Sequence, residues 1–418
     1  MVPRLILAGM AIVVLAAAGV LIAAGRESPP PPIGPELRSA RGLVDSIGVN
    51  VHFSYVDTSY VHQAEVLARL RELGVRHVRD GMPYPIPAMR AGLRAVTRQG
   101  IRATLIGDPR LDPGPMVADS VTLMGDGIAG FEGPNELDAS GDPAWPATLR
   151  DYMPALKAAV RKEAPDVPVI GPSFIDPASR SRLPPGVPGR FNAHPYPDGG
   201  PPEPAIGDAI RDLRASGRDR GAVFTESGYH NALGATTGQP PVSEEAAAVY
   251  LPRLLVAAYG AGAQRTFIYE LLDEKPDPGL LDPEQHFGLL RRDLSPKPAF
   301  QAVRTLISAL RASPGGRRSG DLSWSIRVLG EGDVERLALA RRDGSRVIAL
   351  WRPVSVWDEA ARRPIDPEPL RIQLSFRPEV DDVVVWRPSL SSQPVLRSAR
   401  ARRLSLELGG DLVLVSVR

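Results

Sequence analysis

The chain has 418 residues and no cysteine, with 50 Lys and Arg against 48 Asp and Glu, for a formal net charge of +2. The missing thiol excludes disulfides, thiolate catalysis, cysteine-ligated zinc and a lipid-modified cysteine anchor together. With 43% hydrophobic and 23% charged residues, both signs interspersed, the composition supports a sizeable core and shows no basic stripe of the kind that grips nucleic acid.

The first element in chain order is apolar. After Arg4, residues 5–25 (LILAGMAIVVLAAAGVLIAAG) run without a charge for long enough to cross a bilayer as a helix. Arg26 closes the run, and ESPPPPIGPE follows as a stiff, extended spacer. The length of the run favours an uncleaved anchor over a cleaved signal peptide, although its small-residue end, IAAG, also suits a cleavage site. Either way the remainder is expected to be exported. Residues 1–26 are then the anchor or signal, and 27–41 a proline-rich linker.

From residue 42, short β-rich runs alternate with amphipathic helical stretches, the pattern of βα units around a parallel sheet. The strand SIGVNVHFS (46–54) leads to the helix YVHQAEVLARLRELG (60–74), whose Val61, Ala64, Leu67, Leu70 and Leu73 share one face. VRHVRDG (75–81) and IRATLIGDP (101–109) are the second and third strands, with the helix IPAMRAGLRAVTRQG between them. GIAGFEGPNE (127–136) is the fourth, followed by a long helix from Trp145. VPVIGPSF (167–174), RFNAHPYP (190–197), GAVFTESGYH (221–230) and AQRTFIYELLDE (263–274) complete eight. Such a series over residues 42–313 predicts an α/β fold, a (β/α)8 TIM barrel. The rival is an open doubly wound sheet, but no glycine-rich phosphate loop follows the first strand.

At SPGGRRSGD (313–321) the helical periodicity stops. Alternating strands fill residues 314–418, with RRDGSRV as a tight hairpin, and this tail is expected to form a small all-β sandwich.

The working groups of a TIM barrel sit at the C-terminal ends of its strands. That rule collects Asn50 and His52 from the first strand, Arg79 and Asp80 from the second, and Asp108 from the third. The fourth gives Asn135 and Glu136, the sixth His194 and Tyr196, the seventh Glu226, and the eighth Tyr269 and Glu270. Taken alone, Glu136 in its Gly-Pro-Asn turn reads as surface loop. Its pairing with Glu226 across the barrel mouth points to chemistry, because glycosidic cleavage needs one protonated and one ionised carboxyl. Arg79 and Tyr196 are placed to keep an attacking carboxylate ionised. Glu132 is expected in the barrel wall or a salt bridge, and Asp273, Glu274 and Asp277 in an exposed loop rather than a calcium site.

These residues resemble the clan A glycoside hydrolases, a large group of retaining TIM-barrel enzymes. The resemblance rests on GPNE after strand four, FTESGYH after strand seven, HPY after strand six and the arginine ending strand two. HFGLLRRDLSPKPAFQAV (286–303) is similar to that clan's exit from strand eight. Members with a C-terminal β-sandwich, of the β-xylosidase/iduronidase-like and cellulase-like families, look nearest. The resemblance implies Glu136 as acid/base, Glu226 as nucleophile and Asn135 as a donor to the sugar 2-hydroxyl. The strand-end rule adds Arg79, His194, Tyr196, Tyr269, Glu270, Asn50 and His52 as expected substrate contacts. One departure stands out: many members carry a tryptophan platform after strand eight, where this chain has FIYELLDE, so Tyr269 takes that place and Glu270 adds a carboxylate.

The expected protein is thus an exported, retaining O-glycosyl hydrolase acting on a carbohydrate, with no metal or organic cofactor, and held at a membrane if its apolar run is uncleaved. Two other readings stay open. One is a transglycosylase that remodels envelope glycans; the other is a catalytically inactive barrel that binds glycan or scaffolds envelope partners.

Overall fold

The computed structural model describes residues 37–183, 187, 189–216, 221–313 and 322–418. The expected anchor helix, within residues 1–26, lies outside the described residues. Among those described, no helix is long and apolar enough to cross a membrane.

Eight parallel strands form the barrel: Ile47–Asn50, His77–Gly81, Arg102–Ile106, Ile128–Glu132, Val169–Ile170, Phe191–Ala193, Ala222–Ser227 and Ala263–Ile268. Except between the fifth and sixth, each pairs with its sequence neighbours, and the first also pairs with the eighth. The fifth and sixth meet only through the Ile170–Arg190 bridge, which brings the ring close to closure. Alternation along the strands sets the two faces. Val49, Val78, Phe131, Phe191 and Phe224 are buried in the apolar core, while the residues that follow them, Asn50, Arg79, Glu132, Asn192 and Thr225, are buried and hydrogen-bonded to one another.

Lower in the barrel, Ile170, Val223 and Phe267 form a small apolar cluster. The Phe267 ring covers Gly48, where a Cβ would lie 2.4 Å from a ring carbon. Gly48→Ala should therefore lower stability by about 1–3 kcal/mol through overpacking. A urea midpoint equal to that of the parent would show that the ring can turn aside.

Two helical expectations change. The stretch from Tyr60 begins as a single 3-10 turn, Ser59–Val61, and the α-helix covers only Gln63–Leu73. Val61 therefore precedes the helix and is 55% exposed, and the buried face runs through Val66, Leu70 and Leu73. Among the described residues the fifth strand is followed by no α-helix, only by the 3-10 segment Pro177–Arg182 capped by Asp176. Pro177 opens this segment, and the sequence beyond it is rich in proline, which lacks the backbone donor a helix needs. The other seven strands are each followed by an α-helix: Gln63–Leu73, Pro87–Arg98, Pro113–Met124, Trp145–Glu163, Glu203–Ala215, Glu244–Ala261 and Pro298–Arg311.

Six strands of the tail, with Arg38–Ser39 at one edge, hydrogen-bond into one continuous seven-stranded sheet, and Trp357–Asp358 pairs separately with Arg363–Pro364. The sheet's long strand Leu370–Trp386 shifts register between Ser375 and Val380. The first part pairs with Ser323–Leu329 and the last part with Val413–Val417, so a single strand serves both halves. The two-residue strand Arg38–Ser39 adds to the far edge in parallel with Leu339–Ala340, so the end of the expected linker is built into this sheet. Ile348, Leu350, Val383 and Val385 pack into the sheet's own core, and Val347, Ala349, Trp351 and Val384 join the barrel core. Arg253, fully buried on Glu244–Ala261, fastens the two: it pairs with Glu203 and donates to the Val354 and Gly410 carbonyls at 2.8 and 3.0 Å.

Candidate active site

Loops at the C-terminal ends of the barrel strands enclose a cavity of about 1530 Å³, lined among others by Asn135, Glu136, His194, Tyr196 and Glu226. The turn that presents Glu136 is tightly determined. A Cβ at Gly133 would lie 2.6 Å from Met153 Sδ and 2.8 Å from the Pro172 nitrogen, so only glycine fits where the chain leaves strand four. Glu136 itself takes φ 44°, ψ 44°, a left-handed conformation that non-glycine residues adopt rarely and at a cost. Its backbone N–H donates to Ser173 Oγ at 3.3 Å, and Ser173 Oγ donates to Asn135 Oδ1 at 3.0 Å. Asp138 accepts the backbone N–H groups of Ile175 and Asp176, which pins the far side of the same turn.

At the floor of the cavity, which it helps to line, Arg79 has all five of its N–H donors engaged. Nε and Nη2 donate to the two Glu132 oxygens at 2.7 and 2.8 Å, and Nη2 also to Asn135 Oδ1 at 2.6 Å. Nη1 donates to Glu226 Oε1 at 2.6 Å and to Asn50 Oδ1 at 3.0 Å. A guanidinium has no further donor to offer. Arg79 therefore spends its donors on holding Glu132, Glu226, Asn135 and Asn50 in place. Glu132 is fully buried in the salt bridge foreseen for it and also accepts from Asn192 Nδ2 at 3.0 Å.

Glu226 owes its aim to an irregularity. The register between strands seven and eight shifts between Phe224 and Ser227. Thr225, which hydrogen-bonds inside the barrel, and Glu226, which lines the cavity, therefore both turn inward although they are adjacent. Glu226 Oε2 accepts the Tyr196 phenol O–H at 2.8 Å. Burial pushes the Glu226 carboxyl up, but nearby His194, the Arg79 guanidinium and the hydrogen bonds from Tyr196 and Arg79 outweigh it and hold the group below its ordinary value.

His194 joins the two glutamates. Its Nδ1 lies 2.6 Å from Glu136 Oε1 and 3.6 Å from Glu226 Oε2, and its Nε2 is 2.9 Å from Thr225 Oγ1. A carboxylate oxygen of Glu136, one of Glu226 and a ring nitrogen of His194 all lie within 4.8 Å of one another. This trio could hold a metal ion by ligand type, yet it is equally a pair of carboxyls with a proton carrier between them.

Tyr269 lines the cavity, with its ring edge-on to those of Tyr196 and Phe287, and its O–H donates to Glu284 at 3.1 Å. His52 also lines it, stacked on Tyr55 with centroids 4.6 Å apart. Two expected sugar contacts are corrected. Asn50 is 1% exposed and its amide donates to the Thr225 and Ile268 carbonyls, so it ties the first strand to the seventh and eighth. Glu270 is 0% exposed and does not line the cavity, although Tyr269 beside it does. Trp145 is buried against Leu149 and Phe174, away from the cavity. Tyr55, Tyr84, Glu284 and Phe287 line it from loops, where the sequence has no periodicity to mark them. Asn192 and Thr225 lie in runs already read as strands, and their place one residue after a buried Phe is the signal that could have found them.

No protein-family model matches the sequence, and no curated protein does. Solved structures do. A family 39 glycoside hydrolase from Bacteroides cellulosilyticus WH2 aligns at TM-score 0.63 and 17% identity, over 92% of this chain and 83% of its own. The family 39 enzyme from Xanthomonas axonopodis pv. citri aligns at TM-score 0.58 and 16% identity, over 92% and 95%. A monomeric β-xylosidase from Caulobacter crescentus CB15 aligns at 0.57 and 17%, over 89% and 96%. The chain thus has the barrel-plus-β-sheet fold of family 39 glycoside hydrolases, and the coverage takes in the C-terminal sheet as well as the barrel.

Proposed function

We propose that the protein is a retaining O-glycosyl hydrolase. The observation that carries this is the spacing of Glu136 and Glu226, whose nearest oxygens lie within 4.8 Å. Retaining enzymes hold their carboxyl groups about 5–5.5 Å apart, whereas inverting ones leave about 6.5–9.5 Å for a water. Glu226, kept ionised by Arg79 and Tyr196, attacks the anomeric carbon. Glu136 gives its proton to the departing glycosidic oxygen as that bond breaks. Glu136, now a carboxylate, takes a proton from water, the water oxygen attacks the same carbon, and the Glu226–sugar bond breaks. His194, in contact with both acids, steadies the charge that passes between them.

The aligned proteins include a β-xylosidase, so β-xylosides and β-glucosides are the first substrates to test. The C-terminal sheet, fastened to the barrel through Arg253, serves as an accessory domain. The apolar run at 5–25, with the proline segment behind it, supports an exported catalytic domain tethered to or released from a membrane. NMR of the first product formed from an aryl β-xyloside or β-glucoside should show the β-anomer before mutarotation. The α-anomer appearing first would overturn the assignment.

The pH profile gives a second check. Tyr196→Phe removes a donor that favours the charged form of Glu226, so the carboxyl rises and ionises only at higher pH. The acidic limb of kcat/KM should move up by about 1 pH unit, since a charge-assisted hydrogen bond is worth roughly 1.5 kcal/mol or more. An unmoved limb would show that the phenol does not tune the nucleophile.

A further inference from the structure

Three side chains converge at the edge of the cavity, apart from the Glu136–Glu226 pair: His52 lines it, and Glu270 and Glu274 do not. His52 Nε2, an oxygen of Glu270 and an oxygen of Glu274 all lie within 4.8 Å of one another. Neither oxygen of the fully buried Glu270 has a hydrogen-bond partner, and nor has His52 Nε2. Nε2 and Glu270 Oε2 stand 3.1 Å apart, in contact but misaligned for a hydrogen bond. A buried carboxylate with both oxygens orphaned is a costly arrangement that a ligand would relieve.

The neighbouring cations do not relieve it. Arg79 is engaged by Glu132 and Glu226, Lys297 by Asp273 at 2.8 Å, and Lys275 by Asp57 at 2.9 Å. Glu270 and Glu274 instead face each other and Glu284. We infer that His52, Glu270 and Glu274 bind a first-row divalent cation such as zinc or manganese. An imidazole nitrogen with two carboxylates suits these ions, whereas calcium and magnesium favour all-oxygen shells. Glu274 is only partly buried, which gives the ion a way in and lets that side chain close on it. The ion joins the end of strand one to the loop after strand eight beside Tyr269, whose ring meets that of His52 edge-on at 5.9 Å. It would fix the Tyr269 wall of the cavity and take no part in bond cleavage.

The test does not depend on any glycosidase activity. The full chain is stripped with a chelator and dialysed separately against Zn²⁺, Mn²⁺ and Ca²⁺, and bound metal is measured by mass spectrometry. A single zinc or manganese ion per chain is expected, with no retained calcium. Glu274→Gln, on a partly exposed loop that tolerates it, should weaken binding by more than about 100-fold, and His52→Gln likewise. Glu136→Gln should leave binding intact, which separates this site from the His194 trio. Failure of the parent chain to retain zinc or manganese would overturn the inference. So would binding that survives Glu274→Gln and disappears in Glu136→Gln.

Discussion

Glu226→Ala should reduce kcat by about 10⁴–10⁶-fold, the scale seen when a covalent nucleophile is removed. The loss is chemical: Glu226 is held ionised by the Arg79 guanidinium and the Tyr196 phenol, and His194 links it to the proposed proton donor. Shortening the side chain also leaves a small space on that face. Azide added at high concentration should enter it and attack the anomeric carbon, so a β-glycoside yields an α-glycosyl azide. Glu136→Ala behaves differently. It should lose about 10²–10⁴-fold on substrates with poor leaving groups, the usual range for a positioned acid or base. Azide then attacks the glycosyl–enzyme from the opposite face and gives the β-glycosyl azide. Stereochemistry of the two azide products therefore assigns the roles independently of rate, and exchanged products would exchange the residues.

Arg79→Met carries the largest expected loss of stability. It removes five hydrogen bonds and leaves Glu132 fully buried without its cation. Breaking a buried pair from one side costs about 3–5 kcal/mol, a large part of the roughly 5–15 kcal/mol that holds a domain folded. A second variant keeps the test readable if the first fails to fold. Arg79→Met with Glu132→Leu removes both partners, and replacing a buried ion pair by apolar groups of similar size is often close to neutral. The double variant should recover most of the lost urea midpoint while its turnover stays low, because Glu226, Asn135 and Asn50 have all lost the group that orients them. Recovered activity would mean that the guanidinium is needed only for folding.

The barrel was legible because its strands are short β-rich runs punctuated by helices with apolar faces, and chain order then places the carboxylates at one mouth. Glu136 and Glu226 could be named from that alone. The polar layer beneath them could not. Asn50, Glu132, Asn192 and Thr225 gain meaning only when four strands distant in sequence bring them around Arg79, and no local pattern encodes such a meeting. Asn50 and Glu270 show the limit of the strand-end rule, which locates a residue along a strand but does not say which way its side chain turns. Thr225 and Glu226 show the converse, since a register shift lets adjacent residues face the same way. The edge strand Arg38–Ser39 is two residues long and reads as linker until the C-terminal sheet supplies its partner. In that sheet, strands buried on both faces carry nearly continuous apolar runs such as VIALW, so the alternation that marks a half-buried strand is lost there.

The most direct measurement is to trap the covalent intermediate. Incubation with activated 2-deoxy-2-fluoro β-xyloside and β-glucoside, then digestion and mass spectrometry, should place one sugar on the Glu226 side chain of the peptide containing FTESGYH. A label on Glu136 would contradict that assignment, and so would turnover of the parent substrates without any trapped ester.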